Sequence, residues 1–314
     1  AVFDGPVDFL PVVTRFLDIL EPDLYILVET DFWPNLLHCL RRRKIPALLV
    51  NGRISAGSMR RYRRGRAFFL PMFHCFTKMA MQTAADRDSM LALGVAARRL
   101  PILGNLKFAG QPPAADNPLA ALLPEGCRVL VAGSTHDGEE GAIIDGYHRL
   151  RQVYGDLYLV IVPRDPQRAA DISSMAAKAG LAPRLRTTSP DRDHKDLLIV
   201  DTIGELLGFY ALATLAFVGG SLVAKGGHNP VEPAGCGVPV LFGPHMEDFS
   251  EIATLLLEAG GATRVGDAND LVEAVTTLLD DPSLLIAMGN KARKVVLTHN
   301  DVVDRHLQLI DTLL

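Results

Sequence analysis

Residues 217–249, FVGGSLVAKGGHNPVEPAGCGVPVLFGPHMEDF, are the stretch best suited to holding an anion. Small residues let backbone N–H groups come close to a ligand, although the spacing matches neither GxxxxGK[ST] nor GxGxxG. Asn229-Pro230-Val231-Glu232 reads as a helix start, with Asn229 as N-cap, Pro230 in the first helical position and Glu232 completing a capping box. A helix start beneath a Gly-rich loop suits a phosphate, and Glu232 turned outward would accept ribose hydroxyls. A capped helix with no ligand is the plain alternative.

Two further segments carry candidate chemistry. GSTHDGEE, residues 133–140, leads from an apolar run into a helical one, so Ser134, Thr135 and nearby backbone donors could meet an anionic group. Its acids fit no metal-ligand spacing and sit where first-turn carboxylates complement a helix dipole, so no metal is expected. Glu29 and Asp31 close another apolar run, the place where active-site acids gather in α/β folds; N-capping by Asp31 is the alternative. Trp33 reads as packing. Lys107 stands just before a Pro-, Ala- and Asp-rich stretch, and alone it would be an ordinary surface lysine. The nine His suggest no Ser-His-Asp or Cys-His arrangement.

Charge is unevenly spread. Ten basic residues and no acid lie between Arg41 and Arg66, including Arg53, Arg60, Arg61, Arg63 and Arg64. Without those ten, 22 basic residues face 36 acidic ones, so an acidic body carries one cationic stripe. Such a stripe either attracts phosphates or forms a solvated helix face. The apolar run FFLPMF at 68–73 follows it, a combination that favours a phosphorylated lipid at a membrane surface over nucleic acid.

The elements that must position these residues alternate between β-rich runs and amphipathic helices, the pattern of parallel α/β architecture. Strands are expected at 24–28, 47–50, 78–82, 129–132, 157–162, 197–201, 215–218 and 239–242, with helices at 8–20, 34–43 and 84–93 and over most of 269–314. The 314 residues suit about two domains. These are placed at 1–112 and 126–314 with a linker at 113–125, and two such domains imply a cleft. Cys39, Cys75, Cys127 and Cys236 are widely separated and read as free thiols. Residues 206–224 are nineteen without a charge, but Gly208, Thr214 and Gly219-Gly220-Ser221 break them into a helix, a strand and a loop, so no transmembrane segment is expected.

ETDFWPN (29–35), NGRIS with RY (51–55, 61–62), GNLKF (104–108), AGSTHDGEE (132–140), VPRDPQR (162–168), DTIGEL (201–206) and GGHNPVEPA with GP (226–234, 243–244) occur together and in order. Together they closely resemble the Kdo transferases of Gram-negative bacteria, which attach 3-deoxy-D-manno-octulosonic acid (Kdo) to lipid A precursors. The resemblance covers essentially the whole chain. It implies a GT-B fold, two Rossmann-like doubly wound domains facing across a cleft. It also implies a CMP-Kdo donor, inversion at the anomeric carbon, no cofactor or metal, and work at the cytoplasmic face of the inner membrane on a phosphorylated lipid A precursor such as lipid IVA.

Carried over residue by residue, the resemblance implies that Pro163 and Arg164, Ile203, Gly204 and Glu205, and Asn229, Pro230, Val231 and Glu232 contact the nucleotide, with Ser134 and Thr135 nearby. Glu29 and Lys107 match the positions assigned to transition-state stabilisation. Arg53, Arg60, Arg61, Arg63 and Arg64 would meet the acceptor phosphates. The resemblance also implies a further membrane-anchoring segment and a Gly-rich loop bearing the general-base Glu ahead of these residues, so the first domain is expected to be incomplete: either the sequence is a fragment, or the acceptor hydroxyl cannot be deprotonated in the usual way. The alternatives are a GT-B enzyme using a UDP-sugar, or a relative that binds nucleotide or lipid without turnover.

Overall fold

A computed structural model of the chain describes residues 5–29, 31–109, 117–188, 196–299 and 301–314. The chain forms two compact units, Ala1–Ala109 with His299–Leu314, and Gly110–Thr298.

In the first unit, β1 (Tyr25–Val28), β2 (Ala47–Gly52) and β3 (Lys78–Met81) lie side by side in chain order, all parallel. β2 is buried along its whole length, as the apolar run ALLV requires of a central strand. Helix Pro34–Arg42 connects β1 to β2, and helices Ala56–Arg64 and Arg66–Phe73 connect β2 to β3. Parallel order puts every strand's carboxyl end on one edge of the sheet and every amino end on the other.

Local sequence explains these helices. Pro34–Arg42 starts on proline, buries Leu36, Leu37 and Leu40, and ends on Arg41 and Arg42, cations suited to its carboxyl terminus. The Thr83 hydroxyl accepts from the Asp86 amide to cap Ala84–Leu93, and Gly94 ends that helix at φ 109°, as expected. Phe32, Tyr62 and Phe73 pack edge to face with centroids 5.1–6.5 Å apart.

The last helix, Val302–Asp311, was placed by sequence with the second domain, yet it belongs to the first unit. Val302 and His306 are buried, Val302 lies against Gly104, and His299 stacks on Phe108 at 4.3 Å. Most of the sequence reading's linker start lies outside the described residues. Its remainder is not free chain: Asn117 donates to the Gly208 carbonyl at 2.7 Å, and Leu123 joins the second unit's core.

The second unit is one seven-stranded parallel sheet. It comprises β4 (Arg128–Thr135), β5 (Leu157–Pro163), β6 (Pro183–Leu185), β7 (Leu197–Ile199), β8 (Leu215–Val218), β9 (Val240–Phe242) and β10 (Ala262–Arg264). Their spatial order is β10-β9-β8-β4-β5-β7-β6. The chain starts in the middle at β4, builds outward through β5 and β7, then returns to β8 on the other side. That reversal makes the carboxyl ends of β4 and β8 the topological switch point, where doubly wound sheets place ligands. All seven residues of β5 and all four of β8 are buried, and each large apolar side chain so buried is worth about 1.5–3 kcal/mol.

Candidate functional site

At the switch point, β4 ends in Gly133-Ser134-Thr135, where the pairing with β5 is bulged and Ser134 has φ 56°. The Thr135 carbonyl accepts from the Arg164 amide at 3.0 Å, tying the end of β4 to the end of β5. Thr135 itself is fully buried and donates its hydroxyl to Glu140 at 3.3 Å, so it positions the turn and leaves Ser134, half-buried, as the hydroxyl near the surface. A Cβ on Gly219 would stand 2.4 Å from the Ser134 carbonyl oxygen, so only glycine lets the loop after β8 lie this close to β4.

Glu139 holds the two loops together. It is fully buried, and its carboxylate accepts from the amides of His136 (2.8 Å), Gly220 (2.6 Å) and Leu222 (3.2 Å). Burial pushes its pKa up, and these donors oppose the shift. Glu140 is equally buried and pairs with Arg168 at 2.6 Å, and Arg168 also reaches Asp137.

Above this frame the rings of His136 and His228 meet edge to edge, Nε2 to Nε2 at 2.7 Å and 2° from parallel, with centroids 5.0 Å apart. Desolvation lowers both pKa values, His228 to about 4, with Lys225, Arg164 and Arg168 pressing His136 further down. The pair is therefore neutral at pH 7. Arg164 is exposed and has no carboxylate partner among the described residues. The Ser134 hydroxyl, the neutral imidazoles and this cation suit a phosphate.

The 229–232 segment differs from expectation by one residue. The helix runs Val231–Gly235 with Pro230 in the N-cap position; Asn229 accepts from the Val231 amide at 3.1 Å and donates its side-chain amide to Glu232 at 3.3 Å. An Asx turn thus replaces the expected capping box, because Pro230 continues the helical conformation backward at φ −82° and ψ −7°. Pro163, Pro230 and Val231 are buried, so they shape the backbone, whereas Asn229 and Glu232 keep partial exposure. Burial raises the Glu232 pKa.

Ile203, 87% exposed, and Gly204, at φ 95°, precede helix Leu206–Leu212, whose N-cap is Glu205. The Glu205 carboxylate is already engaged by Arg186 at 3.1 Å and by the Thr202 hydroxyl. Tyr210 of that helix is fully buried. Its phenol fills the space beside Gly133, and its pKa is raised by desolvation and then by the Glu232 charge. One tyrosine thereby packs the 206–212 helix against both β4 and the 231–235 helix.

In the first unit, Glu29 and Lys107 come together at the carboxyl edge of the sheet, Nζ to Oε1 3.9 Å. Asn51 organises them: its amide donates to Glu29 at 3.4 Å, and its oxygen accepts from the Leu106 amide at 3.0 Å. Gln82 in turn donates to the Asn51 carbonyl at 3.1 Å. Glu29 and Asn51 both lie in the left-handed region, φ 65° and 56°. Such strain at the ends of adjacent strands marks a place where local geometry is held for a purpose.

The cationic stripe is two clusters. β2 separates Arg41–Lys44, before its amino end, from Arg53 and the helix carrying Arg60, Arg61, Arg63 and Arg64, after its carboxyl end. Those latter five are all exposed. The apolar run at 68–73 is mainly core: Met72 and Phe73 are buried and Phe69 packs against the core, leaving Phe68 at 58% exposure. No group of three or more metal-ligating side chains occurs among the described residues, nor does a helix long and apolar enough to cross a membrane. Sequence reasoning missed Asn51, Glu139 and the His136–His228 pair. The positive-φ asparagine of an Asn-Gly dipeptide after a strand was the available signal for the first of these.

Residues 2–110 match the family described as 3-deoxy-D-manno-octulosonic-acid transferase (kdotransferase). The 3-deoxy-D-manno-octulosonic acid transferase of Haemophilus influenzae is 32% identical over 311 residues, 97% of this chain and 73% of that protein. The Rickettsia typhi one is 30% identical over 97% of this chain and 66% of its own length. The C-terminal CMP-Kdo binding domain of WaaA from Acinetobacter baumannii is similar in structure (28% identity, TM-score 0.52), covering 55% of this chain and 90% of that one. UDP-GlcNAc 2-epimerase from Neisseria meningitidis shares the fold at 13% identity and TM-score 0.62, covering 95% of this chain and 80% of that one. With its two parallel α/β units, the chain has a GT-B fold.

Proposed function

The chain belongs to the Kdo transferase family of glycosyltransferases, and from that premise we propose that it moves Kdo from CMP-Kdo to a phosphorylated lipid A precursor, lipid IVA, in building the lipopolysaccharide inner core. The work would be done at the cytoplasmic face of the inner membrane. The observation that carries the donor assignment is the second unit's likeness to a CMP-Kdo binding domain, with Arg164, Ser134 and the two histidines gathered at its switch point.

In this reading the acceptor hydroxyl attacks the anomeric carbon as the bond to the CMP phosphate breaks, inverting the centre, and its proton passes to the general-base Glu that the family carries ahead of these residues. Arg164, the Ser134 hydroxyl and the two imidazoles hold the phosphate, and Asn229 and Glu232 hold the ribose. Lys107 meets the negative charge of the donor, whose sugar carries a carboxylate, and Glu29 favours positive charge developing at the anomeric carbon. Asn51 keeps that lysine and carboxylate in register. The exposed arginines of Ala56–Arg64, with Arg53, take the acceptor phosphates.

Calorimetric titration with CMP and with UDP, followed by mass spectrometry of lipid IVA incubated with CMP-Kdo and the protein extended at its amino end to carry the family's general-base loop, tests this. Preference for CMP and a mass gain of one or more Kdo residues are expected. Preference for UDP, with no Kdo added, would overturn the proposal in favour of a UDP-sugar enzyme.

A further inference from the structure

The amino edge of the first sheet carries a groove of about 680 Å³. Arg41, Lys44, Lys78, Arg98 and Arg99 line it, and no lining residue is acidic. None of the five has a carboxylate partner among the described residues. Carbonyls and a thiol meet them instead: Arg99 donates to the carbonyls of His74 (2.8 Å) and Phe76 (3.1 Å), Lys78 to that of Arg98 (2.9 Å), and Arg41 lies against the Cys75 thiol.

The fold assembles this cluster from three separate segments. Arg41 closes helix Pro34–Arg42 and Lys44 lies in the turn that enters β2 at φ 59°. Lys78 opens β3, and Arg98 and Arg99 belong to the turn beyond helix Ala84–Leu93. A helix carboxyl terminus accounts for Arg41. It does not account for four more cations converging on a concave surface without an acid, an arrangement whose self-repulsion destabilises the unit unless an anion enters. Glu29, Asn51 and Lys107 lie at the other edge, a strand length away.

We infer that this groove binds an anion bearing two or more phosphate groups, at a site separate from that of Glu29 and Lys107. Arginine forks match phosphate oxygens in pairs and the two lysines add point charges, a combination that favours phosphates over a single carboxylate. The phosphates belong either to a soluble compound or to a lipid headgroup.

The test uses tripolyphosphate as the soluble probe, and phosphatidylcholine vesicles with or without cardiolipin, whose headgroup carries two phosphates, as the lipid probe. Binding of either by calorimetry or vesicle sedimentation is expected, with a salt-sensitive rise in melting temperature for the soluble probe. Lys44 and Arg98 are exposed, so K44Q with R98Q should leave the fold intact and weaken binding about tenfold or more. The control K178Q with K294Q, exposed lysines of the second unit, should change it little. Vesicle binding that tripolyphosphate displaces assigns the phosphates to a lipid, and tripolyphosphate binding without vesicle retention assigns them to a soluble compound. Absence of binding to both probes, or equal weakening by the two double variants, would overturn the inference. CMP titration of the K44Q/R98Q protein should match the unaltered chain, and a parallel loss there would also overturn it, as a sign of general disruption.

Discussion

The Nε2 atoms of His136 and His228, 92 residues apart in sequence, lie 2.7 Å from one another with their rings parallel to within 2°. At that distance one imidazole donates and the other accepts, so the accepting Nε2 must be free of a proton. The contact joins the loop after β4 to the Gly-rich loop after β8 and is lost once both facing nitrogens carry protons.

Acid should weaken the fold through this pair. His228 titrates near 4 when folded against an ordinary value of 6.5, and His136 is also lowered. Between those limits the unfolded chain binds protons that the folded chain refuses, so this stabilisation is complete above about pH 6.5 and is lost as pH falls toward 4. Melting temperatures from pH 7.5 to 4.5 should fall less steeply in H136Q/H228Q than in the unaltered chain. Identical slopes would remove the pair from the acid response.

Glu139→Ala should destabilise the second unit by about 3 kcal/mol, because it leaves buried amide donors unpaired. Glu139→Gln, which keeps one acceptor oxygen, should lose less. CMP affinity should fall in the same order as the loops separate. Urea unfolding with calorimetry measures both; a stable Glu139→Ala protein with full CMP affinity would contradict this account.

Lys107→Met should lower turnover by about 10²–10³-fold, the usual magnitude for losing one charge stabiliser. CMP affinity should not change, since the nucleotide contacts are assigned to the other unit. Asn51→Ala should lower turnover less and also lower the melting temperature, because the Leu106 amide loses its acceptor. Single-turnover kinetics beside a CMP titration separates these effects.

Reversing charge at Arg60, Arg61, Arg63 and Arg64 should raise KM for the acceptor several-fold while CMP affinity stays level. All four side chains are exposed, so melting temperature should move little. An unaltered KM would leave the cluster as a solvated face.

Buried parallel strands were legible in the sequence because β4, β5 and β8 are continuous apolar runs that need no partner to be recognised. β6 and β10 were not. Each has three residues and stands at an edge of the sheet, where Arg184 and Arg264 break the apolar signal. Glu139 looked like a first-turn acid, and its burial is imposed by a glycine loop 81 residues later. Pairings over such separations follow from sheet order, which local propensity does not encode. The same holds for the cations of 41–66, contiguous in sequence and divided by one buried strand. Glu29 and Lys107 were singled out by motif, while Asn51, which joins them, became visible only with the geometry.

The return of Val302–Asp311 to the first unit bears on how the protein is made. A ribosome delivers residues 1–109 before 110–298, and the side chains that cover Gly104 and Phe108 emerge after both. The intervening 110–298 segment can be fully folded while the earlier one still waits for its cover. During that interval a chaperone or a protease meets a nascent polypeptide whose earlier unit still lacks its covering helix.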